Sequence, residues 1–259
     1  MSALSHLSLA NERGVATLTL NRPERRNALS LGLMEETLAC LDTLEADPDT
    51  RVIVIAAAGK VFSAGHDLSE LVDADDEALR RIFDTCGRLM QRLSAMPQPV
   101  IAEVGGLATA AGCQLVAACD MAVASREASF ATPGVRIGLF CTTPAVAISR
   151  AIGRKRALQM LLTGDAIDAA TAADWGLVNA VVDAEVLRTE VKMLARRLAQ
   201  ASPFTLSVGK RAFYAQADVH QAGAYAYASE VMTMNATAED AREGMRAFLE
   251  KRAPTWVGR

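Results

Sequence analysis

The sequence predicts an α/β fold: a mainly parallel sheet covered by helices, continued by an all-helical C-terminal region. Three observations carry this expectation. The runs VATLTLNRP from Val15, RVIVIAAAG from Arg51 and PVIAEVGG from Pro99 are rich in β-branched apolar residues, two of them nearly continuous, as in strands covered on both faces. Between them Leu33, Met34, Leu38, Leu41 and Leu44 recur at helical spacing after Ser30, as do Leu79, Ile82, Phe83, Cys86, Leu89, Met90 and Leu93 farther on. Beyond Pro144 almost every segment reads as helix.

Taken in order, strand, helix, strand, helix and strand lead to a helix beginning near Ala110, with MAVAS from Met121 and ASFATP from Ala128 as further strands joined by crossovers. Helices are expected over 145–152, 155–162, 169–175, 184–200, 205–216, 219–234 and 238–252, with GLVNAVVD from Gly176 extended among them. The last helix shows Thr237 followed three residues later by Asp240, a capping-box-like start. The chain divides near Pro203 into a core, 1–202, and a helical region, 203–259, with no Gly/Ser linker between them. The apolar faces of that tail are expected to cover the core or a neighbouring subunit.

With 259 residues, 51% hydrophobic and 22% charged, the chain buries a sizeable core. A net charge of −3 without a block of like charges argues against nucleic-acid or anionic-membrane partners, so an anionic ligand has to be met by local cations. Glu103, Gln114, Asp120 and three glycines interrupt the apolar window from Pro99 to Val123, which excludes a membrane span. The five cysteines form no CxxC pair and the three histidines are scattered, so no metal is expected and the thiols read as buried residues in a reducing compartment. The N-terminus lacks a basic stretch followed by an apolar run, and the expected location is the cytoplasm.

Phosphate-loop, GxGxxG, GxSxG and HExxH patterns all fail. Two small-residue loops remain, GKVFSAGHDLSEL at 59–71 and GGLATAAGCQL at 105–115, each where a strand's carboxyl end gives way to the next element. Glycine and alanine let main-chain N–H groups approach a ligand oxygen unobstructed, and two converging amides make an oxyanion hole.

Those loops, with NRPERRNALS at 21–30, FATPGVRIGL at 130–139, LTGDAIDAATAADWGLVNAVV at 162–182 and REGMRAFLEKR at 242–252, resemble the crotonase, or enoyl-CoA hydratase/isomerase, superfamily along nearly the whole chain. The resemblance implies a crotonase-like spiral of ββα turns with a C-terminal helical trimerisation region, assembling as a homotrimer or dimer of trimers. It implies acyl-CoA as partner and no cofactor beyond the coenzyme A of the substrate, in fatty-acid metabolism. It places the oxyanion-hole donors on the amides of His66 and Ala111, the second at a helix N-terminus whose dipole adds positive potential. Ala28, Ala64, Gly65, Asp67, Leu68 and Gly112 fall among the substrate-binding positions. Arg25, Arg26, Lys60 and Lys251 fall near the nucleotide end of the ligand, Lys251 from a neighbouring chain.

The family's hydratases carry two glutamates, and here those positions hold Gln114 and Gly134. Glutamine cannot exchange a proton at neutral pH and glycine offers no side chain. Each acid or base contributes roughly 10² to 10⁴ in rate, so hydration is expected to be weak or absent. The His66 imidazole is expected to point outward, Asp67 to brace its loop, Glu103 to pair with an arginine, and Cys113 and Cys141 to serve packing. Three readings stay open: an enolate-stabilising enzyme on acyl-CoA, a non-catalytic acyl-CoA-binding protein, and a different thioester reaction such as decarboxylation.

Overall fold

The computed structural model describes residues 4–259. A hairpin opens the chain: β1 (Leu7–Glu12) pairs antiparallel with β2 (Val15–Leu20) across a two-residue turn in which Arg13 and Gly14 both take positive φ. Helix α1 (Leu31–Ala46) follows, its first turn capped by the Ser30 hydroxyl, which accepts from the Leu33 amide.

Three successive ββα units then wind through the molecule. In each, a longer strand joins one sheet, a three-residue strand joins a second, and a helix returns the chain. The units are β3 (Val52–Ala57), β4 (Val61–Ser63) and α2 (Asp76–Ala95); β5 (Val100–Val104), β6 (Leu107–Thr109) and α3 (Ala111–Ala118); and β7 (Met121–Ser125), β8 (Ser129–Ala131) and α4 (Thr142–Ile152). After α5 (Arg154–Thr163), β9 (Ile167–Asp168), α6 (Ala169–Trp175) and β10 (Ala180–Val182), α7 (Ala184–Ala199) leads to α8 (Pro203–Ala217), α9 (Gln221–Thr237) and α10 (Glu239–Glu250). The sheets run β1-β2-β3-β5-β7-β10 and β4-β6-β8-β9, and from β2 onward the larger one is parallel. The predicted spiral is the fold observed. Its winding sets β4 and β6 side by side, and with them the two loops singled out from the sequence.

The main core lies between the large sheet and α1 to α3, where Leu18, Ile53, Ile55, Phe62, Leu89 and Phe130 are shut off from solvent. A smaller core under α7 joins Val52, Val54 and Ile101 to Val191 and Ala195.

Some elements differ from expectation. Helix α4 starts three residues early, at Thr142; Pro144 then sits in its first turn, where its missing N–H is no loss. Helix α9 starts at Gln221, with the His220 ring accepting from the Gly223 amide. The Thr237–Asp240 cap does not form: Thr237 donates to the Met234 carbonyl, and Asp240 is buried under the C-terminal tail, accepting from Ser202, Val257 and Gly258. Helix α8 is tied to the core through Lys210, which donates to the Leu93 and Gln98 carbonyls and pairs with Asp120 at 2.7 Å, while the Tyr214 hydroxyl donates to the same carboxylate.

Candidate functional site

Two polar side chains hold the loop before α1 against the loop after β4. Asn27, fully buried at φ 51, donates to the Ala58 and Val61 carbonyls and accepts from the Arg22 amide. Arg22 donates to the Ala28 carbonyl and the Ser30 hydroxyl and reaches Asp67 at 3.4 Å. Asp67 also accepts from the Ser69 hydroxyl and amide; these bonds, with Arg22 behind them, keep its carboxyl below the usual range, so it braces the loop as expected. The sequence reading passed over Arg22 and Asn27. An asparagine in a turn, preceded by two arginines, was the available signal.

Within this frame Gly65 takes φ +88, and a Cβ there would lie 2.8 Å from the Ala110 Cβ and 3.3 Å from the Ala111 nitrogen. Only a glycine lets the chain entering His66 come that close to the start of α3. His66 forms a parallel bridge with Leu29, in which the Leu29 amide donates to Gly65 and the Asp67 amide donates to Leu29. In a parallel bridge the bridged residue's own N–H points away from its partner, so the His66 amide faces away from Leu29. The Ala111 amide opens α3, where the first N–H groups have no partner within the helix. Neither amide finds an acceptor among the described residues. Ala110, just before α3, holds φ 50 and ψ −119, a conformation that costs a non-glycine residue about 1–3 kcal/mol and that aims the following amides. Gly112 lies so close to the Ser63 backbone that a Cβ would fall on the Ser63 carbonyl oxygen and 2.9 Å from its carbonyl carbon.

Gln114 is buried one turn into α3, and its Oε1 accepts from the Cys86 thiol of α2 at 3.8 Å. Gly134 stands in the turn Pro133–Ile137, and a Cβ there would fall on the Leu139 carbonyl oxygen and 2.8 Å from the Cys141 Sγ. The loop has folded over the position, so the second carboxylate is excluded by shape as well as absent. Burial pushes the Cys113 and Cys86 thiols up to about 12 and raises Cys141 as well, which keeps all three protonated packing residues.

Glu103 makes no ion pair among the described residues. Burial raises its carboxyl, and Arg188 and Lys192 of α7 oppose this from a distance. Nor does the His66 ring point outward. It lies edge-on to Phe83 of α2, centroids 5.4 Å apart, with both nitrogens shut off from solvent and without a hydrogen-bond partner. Loss of hydration lowers its proton affinity, and the nearby Leu29 carbonyl opposes this, so the imidazole is neutral at pH 7.

Arg25 and Arg26 are exposed on the turn starting at Pro23, and Lys60 is exposed beside them, since a Cβ on Gly59 would touch the Pro23 Cβ at 2.8 Å. Ala28 is buried next to that turn, Ala64 donates its amide to the Arg26 carbonyl, and Leu68 stands half-exposed on the His66 loop. Lys251 is not brought to this corner by the described contacts; it ends α10, which packs mainly on α8 and α9. A cleft of about 400 Å³ between Arg51, Gln98 and Trp256 contains none of these residues.

Residues 10–259 match the sequence profile described as enoyl-CoA hydratase/isomerase. The chain belongs to the enoyl-CoA hydratase/isomerase family. Among its relatives, enoyl-CoA hydratase domain-containing protein 3, mitochondrial, of Danio rerio is 48% identical over 254 residues, covering 97% of this chain and 88% of that one. A crystal structure of an enoyl-CoA hydratase from Mycobacterium smegmatis superimposes with a TM-score of 0.95 at 44% identity, covering 98% of this chain and 99% of that one. The human enoyl Coenzyme A hydratase domain-containing protein 3 gives the same score and identity, over 97% and 100%. These relatives overturn the expected cytoplasmic location: the vertebrate proteins from Danio rerio to Homo sapiens, 45–48% identical, are all named mitochondrial.

Proposed function

We propose that this member of the enoyl-CoA hydratase/isomerase family binds an acyl-CoA thioester and stabilises its enolate, using the amides of His66 and Ala111 as donors to the thioester oxygen. The observation that supports the reading is the close approach of Gly65 to the Ala111 nitrogen, which brings two acceptor-free N–H groups into the same neighbourhood. Each such donor contributes roughly 10² to 10³ in rate when charge develops on the oxygen it faces. The α3 dipole adds to it. Arg25, Arg26 and Lys60 form the cationic corner for the CoA phosphates, and Lys251 acts from a neighbouring chain of a homo-oligomer.

Efficient hydration is not part of this proposal. Gln114 can orient a water but cannot take its proton, and no side chain fits at position 134. The test pairs crotonyl-CoA turnover with butyryl-CoA binding. Binding accompanied by hydration far slower than the ordinary enzyme range of about 1 to 10³ per second supports the reading. Hydration within that range overturns the assignment of positions 114 and 134, and failure to bind either thioester overturns the acyl-CoA reading.

A further inference from the structure

We infer that the His66 imidazole is the proton-transferring group of this site, removing and returning the α-proton of a bound acyl-CoA while the same residue's amide holds the enolate oxygen. The inference rests on the acyl-CoA reading and adds to it the base that positions 114 and 134 no longer supply.

Four observations carry it. Buried polar groups are nearly always hydrogen-bonded, so two imidazole nitrogens without partners beside the acceptor-free amides are an exception with a place in the site. The ring hangs on the residue that marks the oxygen position, and covalent geometry keeps its nitrogens within about 5 Å of that amide, the region where a thioester's α-carbon lies. The Leu29 carbonyl, on the residue bridged to His66, receives only a long 3.4 Å bond from Asp67, so it keeps a lone pair free to accept from the ring when the imidazole takes up a proton. Finally, Phe83 and Cys86 stand one turn apart on α2, the first covering the imidazole and the second bonded to Gln114, so His66 and Gln114 face the same helix.

The step balances without a further reactant. The α-carbon's C–H bond breaks, its hydrogen becomes the second N–H of a cationic imidazole, and the electron pair moves into the thioester, placing negative charge on the oxygen held by His66 and Ala111. Return of a proton to the same carbon restores the acyl group. In D2O a solvent deuteron comes back and labels the substrate. None of the neighbouring groups competes as a base: Asp67 stays ionised but is held by Ser69 and Arg22 on its own loop, Cys86 on α2 and Cys113 on α3 are held near 12, and Gln114 does not titrate. Asp84 and Arg80 of α2 flank Phe83.

The experiment follows deuterium uptake at the α-carbon of butyryl-CoA in D2O, by mass spectrometry, alongside its binding by titration calorimetry. Wild type is expected to exchange, with a rate that rises with pH and levels off below the ordinary imidazole midpoint of about 6.5. His66→Phe keeps the amide and loses the base, so exchange falls by about 10² to 10⁴ while butyryl-CoA affinity changes by less than about threefold. His66→Gln gives the same comparison if the phenylalanine variant does not fold. Exchange within about threefold of wild type in either folded variant overturns the inference, as does a wild type that binds butyryl-CoA and exchanges nothing. A wild type that does not bind butyryl-CoA instead fails the acyl-CoA reading, and this inference with it.

Discussion

At the scale of single residues, the site is built by backbone conformations that side chains do not favour. Ala110 holds φ 50 and ψ −119 for the sake of the amides that follow. Replacing it by glycine relieves strain of about 1–3 kcal/mol, against about 0.5–1 kcal/mol of added unfolded-chain entropy. Ala110→Gly is therefore expected to raise stability by about 1 kcal/mol without moving α3, as read by denaturant unfolding. The two vacated acid positions behave differently. Gln114→Glu places a carboxyl beside the Cys86 thiol in a buried site, where burial raises its pKa into the range of a working acid, and crotonyl-CoA hydration is expected to rise by about 10². Gly134→Glu drives its Cβ into the Leu139 carbonyl, so it is expected to cost about 3 kcal/mol and bring no activity. A crotonyl-CoA assay and a melt of each variant separate the two. His66 also sets a pH response. Its proton affinity is lowered in the folded chain, so below about pH 6.5 the unfolded chain binds more protons and stability falls on acidification. His66→Phe is expected to lose that part of the acid sensitivity, measured as the difference between urea midpoints at pH 5 and pH 7.5. These local facts were only half visible in the sequence. The small residues announced the turn at 105–115, but the contact of position 134 with Leu139 exists only once the loop has folded back.

At the scale of elements, strands and helices were legible where burial writes a period into the sequence. β3 and β5 are shielded on both faces and read as continuous apolar runs. β1 is mostly exposed, carries Asn11 and Glu12, and is a strand because its turn delivers it to β2 in register, so LSLANE gave no periodic signal. β4 and β6 are three residues long and exist through lateral pairing with one another. The attachment of α8 was likewise unreadable, since Lys210 meets Leu93, Gln98 and Asp120 across 90 or more positions of the chain. Its consequences can be measured. Lys210→Met leaves the largely buried Asp120 carboxylate with only the Val100 amide and the Tyr214 hydroxyl, a loss of about 3–5 kcal/mol by analogy with broken buried pairs. Lys210→Met combined with Asp120→Asn is expected to cost less than the sum of the single changes in a double-mutant cycle, because the uncompensated charge is then gone.

At the scale of the whole molecule, the winding of the ββα units brings together loops whose key residues, His66 and Ala111, are 45 positions apart in sequence, while the C-terminal helices are held by few anchors and leave large apolar side chains in solvent. Phe248 is 82% exposed, Leu249 79%, and Tyr225 and Met232 69% each, a density of apolar surface on α9 and α10 that a monomer in water does not favour. Lys251, proposed to reach the nucleotide end of the ligand, closes that same α10 and within one chain belongs to the tail. Both features agree with a homo-oligomer in which α9 and α10 meet a second copy and Lys251 serves the neighbour's site. Light scattering of the purified protein is then expected to give a mass of at least three chains at micromolar concentration. Phe248→Asp with Leu249→Asp places charges in that contact and is expected to lower the mass toward one chain, with circular dichroism unchanged because neither side chain is buried in the single subunit. Butyryl-CoA affinity is expected to fall with the mass, since the dissociated chain lacks its neighbour's Lys251, and Lys251→Ala is expected to weaken binding while leaving the assembly intact. A single-chain mass for the wild type at every concentration tested would remove the need for a second copy and return Lys251 to the solvated surface of α10.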